Sequence, residues 1–349
     1  MEPRDTQPPS RGVGSRLLRS VLLPSFVLLP LAISIGPSNG GSGPVVREGD
    51  RQKAGPVIVP VSVRTARELA WVLDRVWEKW ASAPDRVPNV APARFPHDMG
   101  ALPQSTRKRA FVRSVLPHIL AENDRILRQR RALEIALDRA QVQGKLSEFQ
   151  TLLVLRLAKA YRVELTPDEL EQDPASAIHR LLRRVDVVPV SLALAQAAVE
   201  SAWGTSRFAR EGNSLFGQWV FSSTKGMAPK ERPEGARYAV ASFPDLAASV
   251  RGYMRNLNTL WAYESFRDLR AGLRRRGSPL DGALLAQGLL MYSTRREAYV
   301  EDLIRVIRHN RFGRFDNARL VPVPESAVRR LTARVQVLAS SEGVPVPDA

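Results

Sequence analysis

The sequence predicts a mainly α-helical, α+β protein with one small β-hairpin lobe. Apolar residues recur at three- and four-residue steps along most of the chain, the period of a helix with one buried face. Near the middle, residues 192–199 carry no charge and are mostly small, as in a helix buried on every side. Between about residues 218 and 243 the helical step lapses. There two short runs, Trp219-Val220-Phe221 and Tyr238-Ala239-Val240, flank a Gly- and Pro-rich segment, the pattern of a hairpin.

The chain opens with Arg4, Arg11, Arg16 and Arg19, followed by an uncharged stretch from Ser20 to Val46 that is apolar from Val21 to Ile35. A basic flank before about fifteen apolar residues reads as a signal peptide or a short membrane anchor, assigned to residues 1–36. Pro24 and Pro30 disfavour a long spanning helix, and Ala32 and Ser34 supply small residues for cleavage. Residues 37–104 form a linker and an accessory helix. The linker, to about residue 57, is rich in Gly, Ser and Pro, and a short β-branched run, Val57-Ile58-Val59, follows it. The accessory helix covers 65–82, with Leu69, Val72, Val76, Trp77 and Trp80 near helical spacing.

The main domain is expected over 105–318. Ser105 can cap a long helix that Pro117 should kink or divide. Helices are predicted over 148–161, 167–183, 191–201, 245–257, 265–276, 279–291 and 296–310. A C-terminal tail, 319–349, holds a weaker helical pattern over 326–340.

Composition narrows the function. Lys and Arg total 52 against 35 Asp and Glu, a net charge of +17, which favours a polyanionic partner: nucleic acid, an anionic membrane or an acidic wall polymer. Export argues against nucleic acid. The absence of cysteine excludes thiol nucleophiles, disulfides and thiolate metal sites. His97, His118, His179 and His309 are scattered, and neither a phosphate loop nor a nucleophile elbow occurs. No metal or organic cofactor is implied.

The uncharged helix concentrates the chemistry. Ser191 can cap it, and Glu200, in its last turn, is its first ionisable side chain. Desolvation there disfavours a carboxylate, and the negative end of the helix dipole does the same, so Glu200 is a candidate general acid. Thirteen of the 23 aromatic residues fall between Trp203 and Tyr299, more than one small core needs. Sugar rings stack their C–H faces on aromatic side chains, so a glycan cleft would use the surplus.

Three runs carry a family resemblance: Ala195-Gln196-Ala197-Ala198-Val199-Glu200-Ser201-Ala202-Trp203-Gly204, Ser206-Arg207-Phe208-Ala209, and Gly212-Asn213-Ser214-Leu215-Phe216-Gly217-Gln218-Trp219. They resemble the glucosaminidase motif of glycoside hydrolase family 73 and, more closely, that of the bacterial Bax-like group, which is unrelated to the apoptotic protein of that name. The likeness extends through Glu122-Asn123, residues 184–189, Asn256-Leu257-Asn258-Thr259 and Tyr292-Ser293, covering roughly residues 105–312. Ala202 stands where the family usually has Gly, and Leu260 where His is common. Tyr292-Ser293-Thr294-Arg295-Arg296 departs from the usual Tyr-Ser-Glu-Arg-Gly.

The resemblance implies a lysozyme-like fold and cleavage of peptidoglycan glycan strands, most simply after N-acetylglucosamine. Glu200 falls on the family's catalytic acid, while Asn213, Phe216, Trp219 and Tyr292 fall on its cleft. A second carboxylate, where the family uses one, comes from the hairpin lobe, whose acids are Glu231 and Glu234; Glu231 is the candidate. The rival readings are a muramidase or lytic transglycosylase, and a non-catalytic murein-binding scaffold. A periplasmic or envelope location follows from the N-terminus, which would hold the protein on the inner membrane if uncleaved. A reporter fused after residue 60 is expected outside the cytoplasm. A wholly cytosolic reporter in cell fractionation would remove that assignment.

Overall fold

The computed structural model describes residues 57–83, 85–220, 226–229 and 239–341. The N-terminal stretch expected to be a signal or anchor, and both acids expected on the hairpin, Glu231 and Glu234, lie outside the described residues. Strand β1 (Val59–Val61) leads into helix α1 (Ala66–Trp77), then β2 (Arg86–Pro88) and β3 (Val90–Pro92). The longest element is α2 (Gln104–Gln143), followed by α3 (Glu148–Ala160), α4 (Pro167–Gln172), α5 (Pro174–Leu182) and α6 (Val190–Glu200). The small lobe comprises α7 (Arg207–Gly212), β4 (Trp219–Val220), β5 (Gly226–Met227) and β6 (Ala239–Ala241). Then come α8 (Leu246–Thr259), α9 (Glu264–Arg275), α10 (Gly282–Ala286) and α11 (Glu297–His309). Strand β7 (Arg319–Val321) and α12 (Glu325–Ser341) follow. The class is mainly α with small sheets, as the periodicity predicts.

Several local expectations change. Helix α2 runs unbroken through Pro117 for 40 residues and starts at Gln104 after Pro103, so Ser105 is not its cap. Burial of Phe111, Val115, Leu116, Ile119 and Leu120 around Pro117 holds the helix together where one backbone hydrogen bond is missing. The helix expected over 167–183 divides at Asp173, whose side chain caps Ser176 N at 2.9 Å, because Pro174 starts a new helix and cannot continue the old one. The segment expected over 279–291 is α10 followed by a 3₁₀ stretch, Gln287–Tyr292. The lobe is a three-stranded antiparallel sheet in the order β4-β6-β5, one strand more than a hairpin.

Two parallel pairings flank the helices, and the second joins the two ends of the described chain. Strand β1 pairs with β3, and β2 with β7, bringing Arg86 opposite Arg319. Helix α12 packs on α1, which packs on α2. Residues before 105 and after 318 therefore share one hydrophobic core with the segment between them.

Helix α6 sits at the centre of that core, against α2, α10, α11 and the 3₁₀ turn Phe312–Phe315. From Val190 to Ala198 every residue is buried. The loop entering it is fixed by a buried charge. Arg274 forks onto both Asp186 carboxylate oxygens at 3.0 and 2.8 Å, and Arg130 approaches at 3.4 Å. The fully buried Arg270 donates to the backbone oxygens of Asp186, Val187 and Arg183. Burial opposes ionisation of Asp186, but the arginines outweigh it and hold the carboxyl below its ordinary range. Asn123 completes the clamp, donating to Val188 O at 2.7 Å and accepting from Val188 N at 3.1 Å.

The start of α6 is capped from a distance. Ser191 lies inside the helix, and Asp316 accepts from its backbone N and its hydroxyl, each at 2.8 Å. Gly282 of α10 allows the close approach, since a Cβ there would fall 2.1 Å from Ser191 Oγ. Asp316→Ala should lower stability by about 1–3 kcal/mol, as for loss of a helix cap that leaves buried donors unmade, while Asp316→Asn should cost less. Thermal unfolding of both variants checks this; equal loss in the two would show that hydrogen bonding is not what Asp316 supplies.

Candidate active site

Glu200 ends α6 and is the point where the buried helix reaches the surface. The residue is half-buried, while Gln196 one turn earlier and Ser201 next to it are fully buried. Its position is held by an unusual turn. Ala202, Trp203 and Gly204 all take left-handed backbone conformations, with φ of 49°, 58° and 79°. Ala202 carries a Cβ where glycine would sit without strain, a cost of about 1 kcal/mol. Arg296, the other position where glycine is usual, also has positive φ, at 43°. Packing and hydrogen bonds hold the turn closed. Trp203 N donates to Ala198 O at 2.9 Å, and Gly204 N donates to Ser201 Oγ at 3.0 Å. The Trp203 ring lies edge-on to Phe111 and beneath Lys108 Nζ, 4.7 Å from its centroid.

The electrostatics follow from the surroundings. Burial pushes the Glu200 carboxyl up to about 7, and a hydrogen bond from the Tyr299 hydroxyl opposes the rise. Tyr253, Tyr263, Tyr292 and Tyr299 surround it, each held above the ordinary phenol range by burial and by the neighbouring carboxylate. Tyr292 stacks on Tyr299 with centroids 5.5 Å apart and planes 2° off parallel. Tyr253 donates to Gln196 Oε1 at 2.6 Å, and Gln196 Nε2 donates to Tyr299 at 3.0 Å. Gly217, itself half-buried, has φ of +59°, and a Cβ there would stand 3.5 Å from Glu200 Oε2, in ordinary contact. Glycine at 217 takes the left-handed backbone beside the carboxyl without strain.

The other expected site residues divide by exposure. Asn213 is the left-handed cap of α7, with φ of 51°, and its amide donates to Phe243 O at 2.9 Å. Phe216 is buried, stacked on Tyr253 with centroids 3.8 Å apart. Tyr292 is buried too and donates its hydroxyl to Phe216 O at 2.9 Å. Trp219, on β4, keeps part of its surface open. Leu260 is buried, and its backbone oxygen accepts from Arg267 at 2.7 Å. Three residues not assigned to the site from sequence also belong to the acid's surroundings: Gln196, Tyr253 and Tyr299. A signal for Gln196 existed, since it is the only polar residue between Leu192 and Val199 and lies four positions before Glu200, on the same helix face.

Among the described residues no charged side chain influences this partly open carboxyl, which can hold a proton near neutral pH among tyrosines. A family model described as "Glucosaminidase: Mannosyl-glycoprotein endo-beta-N-acetylglucosaminidase" matches residues 175–312, the span that contains it. "Protein bax" of Escherichia coli (strain K12) is 33% identical over 214 residues, covering 61% of this chain and 73% of that protein. The chain belongs to the Bax-like family of glucosaminidase-domain proteins. No solved structure gives a significant match. The span matched by the glucosaminidase model takes in the loop clamped by Asp186, all of α6, the small lobe and the tyrosine cluster, and the domain is of a glycosidase type.

A raised acid in a folded Bax-like protein has a thermodynamic cost. From its unperturbed value near 4.5 up to about 7, the unfolded chain ionises Glu200 while the folded one keeps it protonated. The contribution is therefore most favourable below pH 4.5 and is lost progressively as pH rises through 7. Glu200→Gln removes the titration. The variant should exceed the wild type in stability at pH 8 by on the order of 2 kcal/mol, with the gap narrowing toward pH 4. Melting temperatures across that range check it; a gap that does not change with pH would mean the carboxyl is not desolvated.

Proposed function

We propose that this protein hydrolyses the glycan strands of peptidoglycan, as an endo-β-N-acetylglucosaminidase with Glu200 as general acid. The observation that carries this reading is the combination at Glu200: a carboxyl raised to about 7 by burial, yet half-open beside Gly217. A general acid must hold its proton at working pH and still reach the leaving oxygen, and few carboxyls meet both conditions. Glu200 protonates the glycosidic oxygen as the sugar becomes oxocarbenium-like. Trp219 offers an open aromatic surface to a sugar ring, while Asn213, Phe216 and Tyr292 shape the wall behind it.

Two routes complete the reaction. Either the N-acetyl group of the substrate attacks the anomeric carbon, or a second carboxylate activates water on the opposite face. For the carboxylate route the resemblance points to the acids of the lobe segment, Glu231 and Glu234, with Glu231 the candidate; both lie outside the described residues. The substrate class agrees with the basic surface and with export to a cell-envelope location, where the N-terminal segment either is removed or holds the protein on the inner membrane. Among the described residues no helix is long and apolar enough to cross a membrane.

Glu200→Gln should leave the protein folded and able to bind murein while turnover falls by roughly 10²–10⁴-fold, the usual effect of positioned acid catalysis. Wild-type turnover in that variant would sink the assignment. Glu231→Gln separates the two routes, since a large loss supports acid plus base and near-normal turnover supports the acetamido group. The masses of the released muropeptides distinguish cleavage after N-acetylglucosamine from muramidase or transglycosylase products.

A further inference from the structure

We propose that Gln196 and Tyr253 are positioning residues that fix the direction of the hydrogen bond reaching Glu200, so that Tyr299 can only donate to it. The inference rests on Glu200 being the catalytic acid and concerns how its proton is placed.

The geometry is a single file of hydrogen bonds running from α8 through α6 to α11. Tyr253 Oη lies 2.6 Å from Gln196 Oε1, and Gln196 Nε2 lies 3.0 Å from Tyr299 Oη. With its oxygen taken by Gln196 Nε2, the Tyr299 hydroxyl keeps its proton for the Glu200 carboxyl, whose charged form it favours. Every member before Glu200 is buried: Gln196 and the rings of Tyr253 and Tyr299 have at most 1% of their surface exposed. Water is therefore not available to replace a lost partner, and each proton must be assigned within the file.

A phenol has one proton to give, and an amide has a donor end and an acceptor end. If the Gln196 amide were turned over, its nitrogen would face Tyr253 and its oxygen would face Tyr299. Tyr299 would then spend its proton on Gln196 and present an oxygen lone pair to the Glu200 carboxylate, which is repulsive in a buried site. With Tyr253 donating to Oε1, the amide is locked the other way and the Tyr299 proton is left for Glu200. When Glu200 is protonated, the oxygen that accepts from Tyr299 serves as its carbonyl oxygen. The acid proton is then directed to the other oxygen.

The remaining groups around Glu200 do not compete. Tyr292, from the 3₁₀ stretch before α11, gives its proton to Phe216 O. Tyr263, in the 3₁₀ turn that follows α8, feels the Glu200 carboxylate only through its charge, and among the described residues no charged side chain is among the influences on the carboxyl. The Gln196 position also explains itself: four residues before Glu200 on one helix face, its amide is carried by the same rigid turn as the acid. A positioning contact built into one helix does not depend on loop motion.

The test is a titration of the Glu200 carboxyl by ¹³C NMR in the wild type, Tyr299→Phe, Gln196→Met and Tyr253→Phe, beside the pH profile of murein hydrolysis. Tyr299→Phe should raise the Glu200 pKa by about 0.7 or more, the worth of one hydrogen bond to the charged form. Gln196→Met and Tyr253→Phe should move it the same way by smaller amounts, and the alkaline limb of turnover should move up with it. If both leave the carboxyl titration and the limb at wild-type values in a folded protein, while Tyr299→Phe shifts them, the positioning role is overturned. Should Gln196→Met fail to fold, Tyr253→Phe, which removes only a hydroxyl, decides alone. Wild-type turnover in Glu200→Gln would instead remove the acid assignment, whereas the NMR titration would still judge the hydrogen-bond file.

Discussion

Burying a helix on every side requires that it carry almost no polar groups, and α6 meets that requirement from Val190 to Ala198. The same burial reaches the carboxyl at its end. A glutamate at the tip of such a helix cannot ionise at its ordinary value, because the protein in front of it has displaced the water that would solvate the charge. The carboxyl is nonetheless only half-buried, so part of it still faces outward. The position of the core element and the raised carboxyl at its end are two consequences of one packing choice.

That choice makes demands elsewhere. The first turn of α6 has no side-chain cap of its own, so the acceptor for Ser191 N comes from Asp316, 125 residues further along the chain. The loop before it is held by Asp186 with Arg130, Arg270 and Arg274, and by Asn123. A buried ion cluster of this kind contributes less to net stability than to the fixing of one geometry. Here it fixes where α6 begins and therefore where Glu200 ends. At the other end, three successive left-handed residues turn the chain sharply, and the Trp203 ring wedged against Phe111 opposes any relaxation.

The positions outside the acid motif that carry the family resemblance acquire a physical meaning in this light. Asn123, Asp186 and Asn258 all meet at the entry to α6, with Asn258 donating to Asp186 O at 3.0 Å. The two places where this chain lacks the family's usual glycine, Ala202 and Arg296, are both at positive φ. The backbone keeps the shape that glycine favours and tolerates the strain. One such position follows the acid helix and the other precedes the helix bearing Tyr299, so the strain falls on the frame of the site and leaves its reacting group unchanged.

The sequence by itself determined that α6 is buried, that Glu200 is its first ionisable residue, that the chain is mainly helical and that a small β lobe follows the acid. These are properties of local pattern: the period of apolar residues, the lack of charge over eight positions, the lapse of that period near residue 218. Proline could mislead even there, since Pro117 is absorbed by a helix whose packing outweighs one lost hydrogen bond, whereas Pro174 does divide two helices. Only the tertiary structure decided which of many aromatic residues face the acid. Tyr253, Tyr292 and Tyr299 come from three separate segments, and nothing in their spacing tells that Tyr299 reaches Glu200 while Tyr292 turns to Phe216 O. It also decided that Ser191 is capped rather than capping, because the deciding carboxylate arrives from Asp316. Periodicity is written in neighbouring residues; a hydrogen bond between distant segments exists only once packing has brought them together.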